Sequence, residues 1–151
     1  VEREKCTPPL CIAVLRGILL CEKNNIAQTL SDALNDSYTA SAALRFVRDI
    51  PGEEMTRSTA SVLDKLAPES QISLLAALED RGDALAGTAV LALLRKSDNA
   101  AVRLAAIRAL ARVGGPTSAE SLAHIAASAA GDERTAARSS GWNGWGSSWS
   151  G

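Results

Sequence analysis

Aromatic residues are scarce in this 151-residue chain: five occur, and three of them, Trp142, Trp145 and Trp149, fall in the last ten positions. The residues before them must build a core from Ala, Leu, Val and Ile, without the rings that fill most interiors. Helices in such a body can approach closely. Histidine is limited to His124, which leaves no metal-ligand pattern and little scope for acid–base chemistry. An excess of charge is lacking too. With 16 basic and 17 acidic residues the net charge is −1 and the pI about 5.9, which excludes a general phosphate-backbone binder, so no nucleic acid is expected. No run reaches the roughly 18 apolar residues of a membrane span. The longest, LCIAVLRGILLC from Leu10 to Cys21, is interrupted by Arg16, and Glu2 and Glu4 precede it without a small-residue cleavage pattern. It is therefore expected to be a buried helix, with no membrane insertion and no readable signal peptide. Compartment is not legible at the N-terminus.

In place of these stand 28 alanines and 19 leucines, a composition that favours helix. The three cysteines, Cys6, Cys11 and Cys21, match no zinc or haem spacing. Ordinary buried thiols are one reading. Because Cys11 and Cys21 would sit about 15 Å apart along one helix, any disulfide must use Cys6, and Cys6–Cys11 across Thr7-Pro8-Pro9 is the candidate pair. Such a bridge would imply an oxidising compartment, extracellular or periplasmic.

Self-similarity organises the middle of the chain. VRLAAIRALARVGG (residues 102–115) carries apolar positions at Val102, Ala105, Ala106, Ala109, Leu110 and Val113, a helical stripe ending in a Gly pair suited to a C-cap. A shift of 63 residues back places Ala42, Ala43, Val47 and Ile50 on Ala105, Ala106, Leu110 and Val113; a shift of 32 places Leu74, Leu78 and Gly82 on Ala106, Leu110 and Gly114. A second helix type alternates with the first, in stretches 26–36, 55–66, 85–98 and 118–132. Helices of this length are marginal alone and must bury their stripes against a pair partner and the next unit. The pattern predicts an all-α chain, an α-solenoid of antiparallel helix pairs with a repeat of about 31 residues. Its expected organisation is an N-terminal capping helix region over 1–25, with Leu10, Val14 and Ile18 facing the first repeat and Arg16 outward, repeats over 26–140, and a non-helical Gly/Ser/Trp tail over 141–151.

KSDNAAVRLAAIRALARVGG resembles the second helix of a HEAT repeat: a polar loop with Asp98, then Val102-Arg103, the Ala105-Ala106 pair, Ala109-Leu110 and a terminal Val113-Gly114. The resemblance covers about residues 26–138 and is similar to the short bacterial HEAT units of bilin-lyase-like repeats. It implies a right-handed superhelix and, for one unit, a polar rung of Asp98 and Arg103. The aligned positions Asn35 and Ala40, and Leu66 and Gln71, could not extend that rung into a ladder. It also implies a binding or scaffolding role, since such repeats share no catalytic residues.

Chemistry is sparse. His124 falls off the stripe of Leu122, Ile125, Ala126 and Ala129, and the pairs Glu53-Glu54 and Glu79-Asp80 read as solvated turn residues. No phosphate loop, Ser-His-Asp order or HExxH pattern occurs, so no catalytic, cofactor-binding or metal site is expected and the chain is read as no enzyme. Charge is uneven: residues 49–83 hold eight acids and three bases, residues 95–112 five bases and one acid. Arg108 and Arg112 share a helix face, while Arg103 points away and breaks a phosphate-tracking ridge.

The tail, SSGWNGWGSSWSG, is uncharged. Gly/Ser composition reads as a linker, whereas three tryptophans in eight residues read as groups that dock on apolar surface, in the same chain or a neighbour. The expected function is a non-enzymatic scaffold binding a protein partner, with Trp142, Trp145, Trp149, Arg103, Arg108 and Arg112 as interaction residues. The alternatives are a subunit that binds copies of itself into a filament or ring, and a repeat module of a larger enzyme.

Overall fold

The computed structural model describes residues 8–21, 25–128 and 131. Among the described residues the elements are α1 (Pro8–Cys21), α2 (Ile26–Asn35), α3 (Ala40–Asp49), α4 (Glu53–Val62), α5 (Pro68–Arg81), α6 (Gly87–Lys96), α7 (Ala100–Val113) and α8 (Pro116–Ser128). Single 3-10 turns at Leu63–Lys65 and Ala84–Ala86 follow α4 and precede α6. Local chemistry sets the boundaries. Pro8, Pro68 and Pro116 open α1, α5 and α8, where a residue without an amide proton loses no helical bond. The Asn99 side chain accepts hydrogen bonds from the Ala101 and Val102 amides at 3.0 and 3.2 Å, capping α7. Gly82 closes α5 at φ 66°, a left-handed conformation that costs glycine little.

Short connections make consecutive helices antiparallel pairs, and the pairs stack as two rows: α2 packs on α4 and α4 on α6, while α3 packs on α5 and α5 on α7. At the ends, α1 borders α2 and α3, and α8 borders α7. The expected solenoid is the observed fold. Its core runs between the rows and is built from Leu30, Val47, Leu63, Leu74, Leu75, Leu78, Leu94, Ile107 and Leu110, all fully buried. Helix starts are unevenly spaced, yet the repeat positions hold: Ala43, Leu74 and Ala106 are buried in equivalent places, and so are Val47, Leu78 and Leu110. Ala105 is half-buried at the edge of the same contact.

Four details differ from expectation. In α1 the buried residues are Leu15 and Leu19, at 7% and 3% exposure, whereas Leu10 and Val14 are 57% and 51% exposed and Ile18 is half-buried. The helix is apolar on nearly every side, so its sequence held no period to choose a face by; Arg16 does point outward. Cys21 is exposed rather than buried. Ile107 lies opposite the α7 stripe and is fully buried, because α7 is packed by α5 on one side and by α6 on another. Gly114 is extended, with φ −76° and ψ 137°, and so is no left-handed cap. A Cβ there would collide with the Leu110 carbonyl oxygen and the Ser118 side chain, so glycine serves the close passage from α7 into α8.

Successive pairs are joined by a polar node around Arg81, whose side chain is 8% exposed. From the last turn of α5 its Nη1 donates to the carbonyls of Val47 and Ile50 at 2.8 and 2.6 Å, and its Nη2 to the carbonyl of Gly52 at 2.7 Å. Its Nε donates to Thr56 Oγ1 at 2.8 Å, and that hydroxyl donates to Asp83 Oδ2 at 2.5 Å. One guanidinium thus satisfies the carbonyls left over where α3 ends and holds the start of α4 against the end of α5.

The Thr56 hydroxyl, then the Leu85 amide, and then the Arg81 charge hold the Asp83 carboxyl below the ordinary aspartate value of about 3.9. A depressed folded pKa means stability that is fully present above the unfolded value and is lost as pH falls through the folded one. Acid titration of unfolding is therefore expected to show a loss below about pH 4 that Asp83→Asn lacks. Identical acid slopes for the two proteins would remove Asp83 from the node.

Candidate interaction surface

The row α3–α5–α7 presents one composite face, because equivalent repeat positions in the three helices are solvent-facing together. Arg45, Ala76 and Arg108 occupy one such position and are all exposed; Asp49, Asp80 and Arg112 occupy the next and are exposed too. Further toward the helix starts lie Ser41, Ile72 and Leu104, the last two half-buried, and Ser73 and Ala105. Small side chains along the middle of α5 and α7 leave the backbone approachable, with Ile72 and Leu104 offering apolar contact.

Charge on this face is matched on two helices and unmatched on the third. Arg45 pairs with Asp49 at 3.3 Å along α3, and Arg48 reaches Asp80 of α5 at 2.7 Å. Both pairs are exposed, so each contributes less than about 1 kcal/mol; their consequence is neutralisation. No ion pair among the described residues engages Arg108 or Arg112. Arg103, expected from the sequence to point away from them, lies on the other side of α7 and donates from Nη1 to the Leu94 carbonyl at 3.1 Å, near the end of α6. It is half-buried and Asp98 is exposed. The acidic stretch 49–83 and the basic stretch 95–112 meet in part, since Lys96 lies 3.5 Å from Asp64.

A groove of about 760 Å³ opens where α1 and α3 diverge, walled by Ile12, Ala13 and Leu20 on one side and Phe46, Ile50 and Pro51 on the other. A smaller hollow of about 520 Å³ between α6 and α8 holds Arg95, Ser121 and His124, with Arg95 donating to Ser121 Oγ at 3.3 Å. His124 is exposed, as expected, beside buried Leu122 and half-buried Ile125. The α8 residue Ala126 has no described side chain, and Ala129 lies outside the described residues. Among the described residues no three His, Cys, Asp or Glu side chains gather in metal-binding geometry. Glu53 and Glu54 are exposed at the start of α4, and Asp80 is held by Arg48. Of the remaining sequence candidates, Cys11 is half-buried on α1, while Cys6, Trp142, Trp145 and Trp149 lie outside the described residues.

The family profile of HEAT repeats matches residues 56–140, more than half of the chain. The chain belongs to the HEAT-repeat family. The match is to HEAT repeats at large and does not single out the bilin-lyase-like subtype. It begins inside α4, yet α2 and α3 stack in the same two rows, so the HEAT architecture extends further toward the N-terminus than the match. No curated protein matches the chain closely enough to serve as a relative. HEAT repeats generally act as protein-interaction scaffolds, and among the described residues no helix is long and apolar enough to cross a membrane.

Sequence inspection singled out the α7 arginines but not the α3 and α5 residues that complete their face. The signal was available in the repeat itself, because the 32- and 63-residue shifts that align the cores also align Arg108 with Ala76 and Arg45.

Proposed function

We propose that this chain is a non-enzymatic HEAT scaffold that binds an acidic segment of a protein partner across the α3–α5–α7 face. One observation carries the reading: Arg108 and Arg112 stand exposed on that face with no described counter-charge, next to half-buried Leu104 and Ile72. Two guanidiniums one turn apart suit carboxylates on one side of a helix or strand, and the apolar shelf beside them suits alternate bulky side chains. Nucleic acid fits less well. Arg103 is committed to the Leu94 carbonyl, which leaves two cations where a phosphate-tracking surface needs a longer series.

Fluorescence anisotropy with a labelled peptide of alternating Glu and Leu tests the proposal. Binding that weakens at least tenfold in Arg108→Glu/Arg112→Glu, with a Lys/Leu peptide showing none, is the expected result. Equal binding by the intact chain and the double variant would refute the site.

A further inference from the structure

We propose that the groove between α1 and α3 receives the tryptophan segment, residues 142–149, of a second copy of this chain, joining copies head to tail. This goes beyond the scaffold reading and does not rest on it: the groove lies at the α1 end of the stack, and while Ser41, Arg45 and Asp49 of α3 border both surfaces, Arg108 and Arg112 of α7 do not line the groove.

Three observations lead to that occupant. First, the groove has the character of a site for large apolar side chains. Its volume of about 760 Å³ lies within the range of roughly 300 to 1,000 Å³ of organic-ligand pockets, and Ile12, Leu20, Phe46 and Ile50 give it apolar walls. Arg16 from α1 stands on one wall, and on the other Arg45 of α3 lies beside Asp49, with which it pairs at 3.3 Å. Guanidinium groups beside an apolar cleft favour aromatic faces, indole most of all. Second, the chain carries such a ligand. Residues 139–151 hold three tryptophans and no charged side chain, so the segment itself brings no ionised side chain to be stripped of water. The three and four residue spacings are filled by Gly, Ser and Asn, which let the backbone come close. Third, the ends of the stack are unlike. The groove belongs to α1 and α3, whereas α8, which leads toward the segment, borders α7 at the far end. In a head-to-tail arrangement the α8 end of one copy meets the α1 end of the next, a heterologous contact that propagates. Exposed Leu10 and Val14 lie on the same terminal helix and extend the apolar surface the incoming copy would meet.

The test uses the absence of tryptophan before residue 142, which makes intrinsic emission a direct reporter of the segment. Ile12→Glu places a charge in the groove at a residue 38% exposed, so the fold should tolerate it. Trp142→Ser/Trp145→Ser/Trp149→Ser removes the occupant and leaves the groove. Light scattering should show the intact chain growing in mass with concentration while its emission shifts to the blue and resists acrylamide. Each variant alone should be monomeric, and Ile12→Glu should emit like indole in water. An equimolar mixture of the two should form one-to-one dimers with blue-shifted emission, since one supplies the segment and the other the groove. The proposal is overturned by an intact chain that stays monomeric at all concentrations, whether its emission is water-like or blue-shifted through docking on its own body. It is equally overturned if Ile12→Glu still assembles. Circular dichroism checks that each variant keeps its helices, and Leu20→Glu, at an exposed position on the same wall, replaces Ile12→Glu should that protein lose them.

Discussion

Replacing Arg81 by Leu is expected to lower the unfolding free energy by about 2 to 5 kcal/mol, because each acceptor left unpaired in partly buried surroundings costs about 1 to 3 kcal/mol. Four of its hydrogen bonds go to Val47, Ile50, Gly52 and Thr56. A leucine would fill part of the volume but would leave three carbonyls without that donor and Asp83 without its cation. Arg81→Lys should recover only part of the loss, because a single ammonium cannot spread donors across the end of α3 and the start of α4 at once. Chemical denaturation of the three proteins decides the matter. A change under about 1 kcal/mol in Arg81→Leu would class the guanidinium with exposed pairs such as Arg57–Glu53, which contribute little.

Ala106→Leu is expected to destabilise by about 1 to 3 kcal/mol through overpacking. Ala106 is fully inaccessible where α7 meets its neighbours, and no solvent-side space exists into which three added carbons could turn. The same repeat position in α5 is Leu74, also fully buried, so the site as such admits a leucine. What differs is spacing: the α5–α7 contact is the most extensive in the stack, and small side chains are what permit that closeness. Thermal unfolding that matches the intact chain would mean α7 can move away at no cost, and the register of the repeats would have to be redrawn.

Legibility followed the physics of each feature. The repeat register could be read because burial recurs at fixed places, Ala43, Leu74 and Ala106 among them, and a periodic cause leaves a periodic trace. The face of α1 could not, since Leu10, Val14, Leu15 and Leu19 are interchangeable in hydropathy and only the position of α2 and α3 selects among them. Ile107 was passed over for a related reason: a single stripe describes a helix packed on one side, and α7 is packed on two. Arg81 leaves no such trace: in the sequence it is one of three bases within an acidic stretch, and its acceptors are main-chain carbonyls, which carry no residue-type signature. Arg108 and Arg112 were legible as a pair by their four-residue spacing. That Arg103 would be drawn to the end of α6 required knowing how α6 and α7 meet.

The two-row stack has a mechanical consequence. Among the described residues every helix is held mainly by its immediate neighbours, with no extensive contact that spans the array to share a load. Tension applied along it would pass through the joints in series, as through springs linked end to end, and extension would concentrate at the most compliant one. Among the described residues the slightest joints are α1 on α3, where the groove parts the helices, and α8 on α7, whereas α3 and α5 are fastened by Arg48–Asp80 and by the Arg81 node. Under force the outer helices α1 and α8 should therefore yield before the others, and the stack between them should lengthen as an elastic unit.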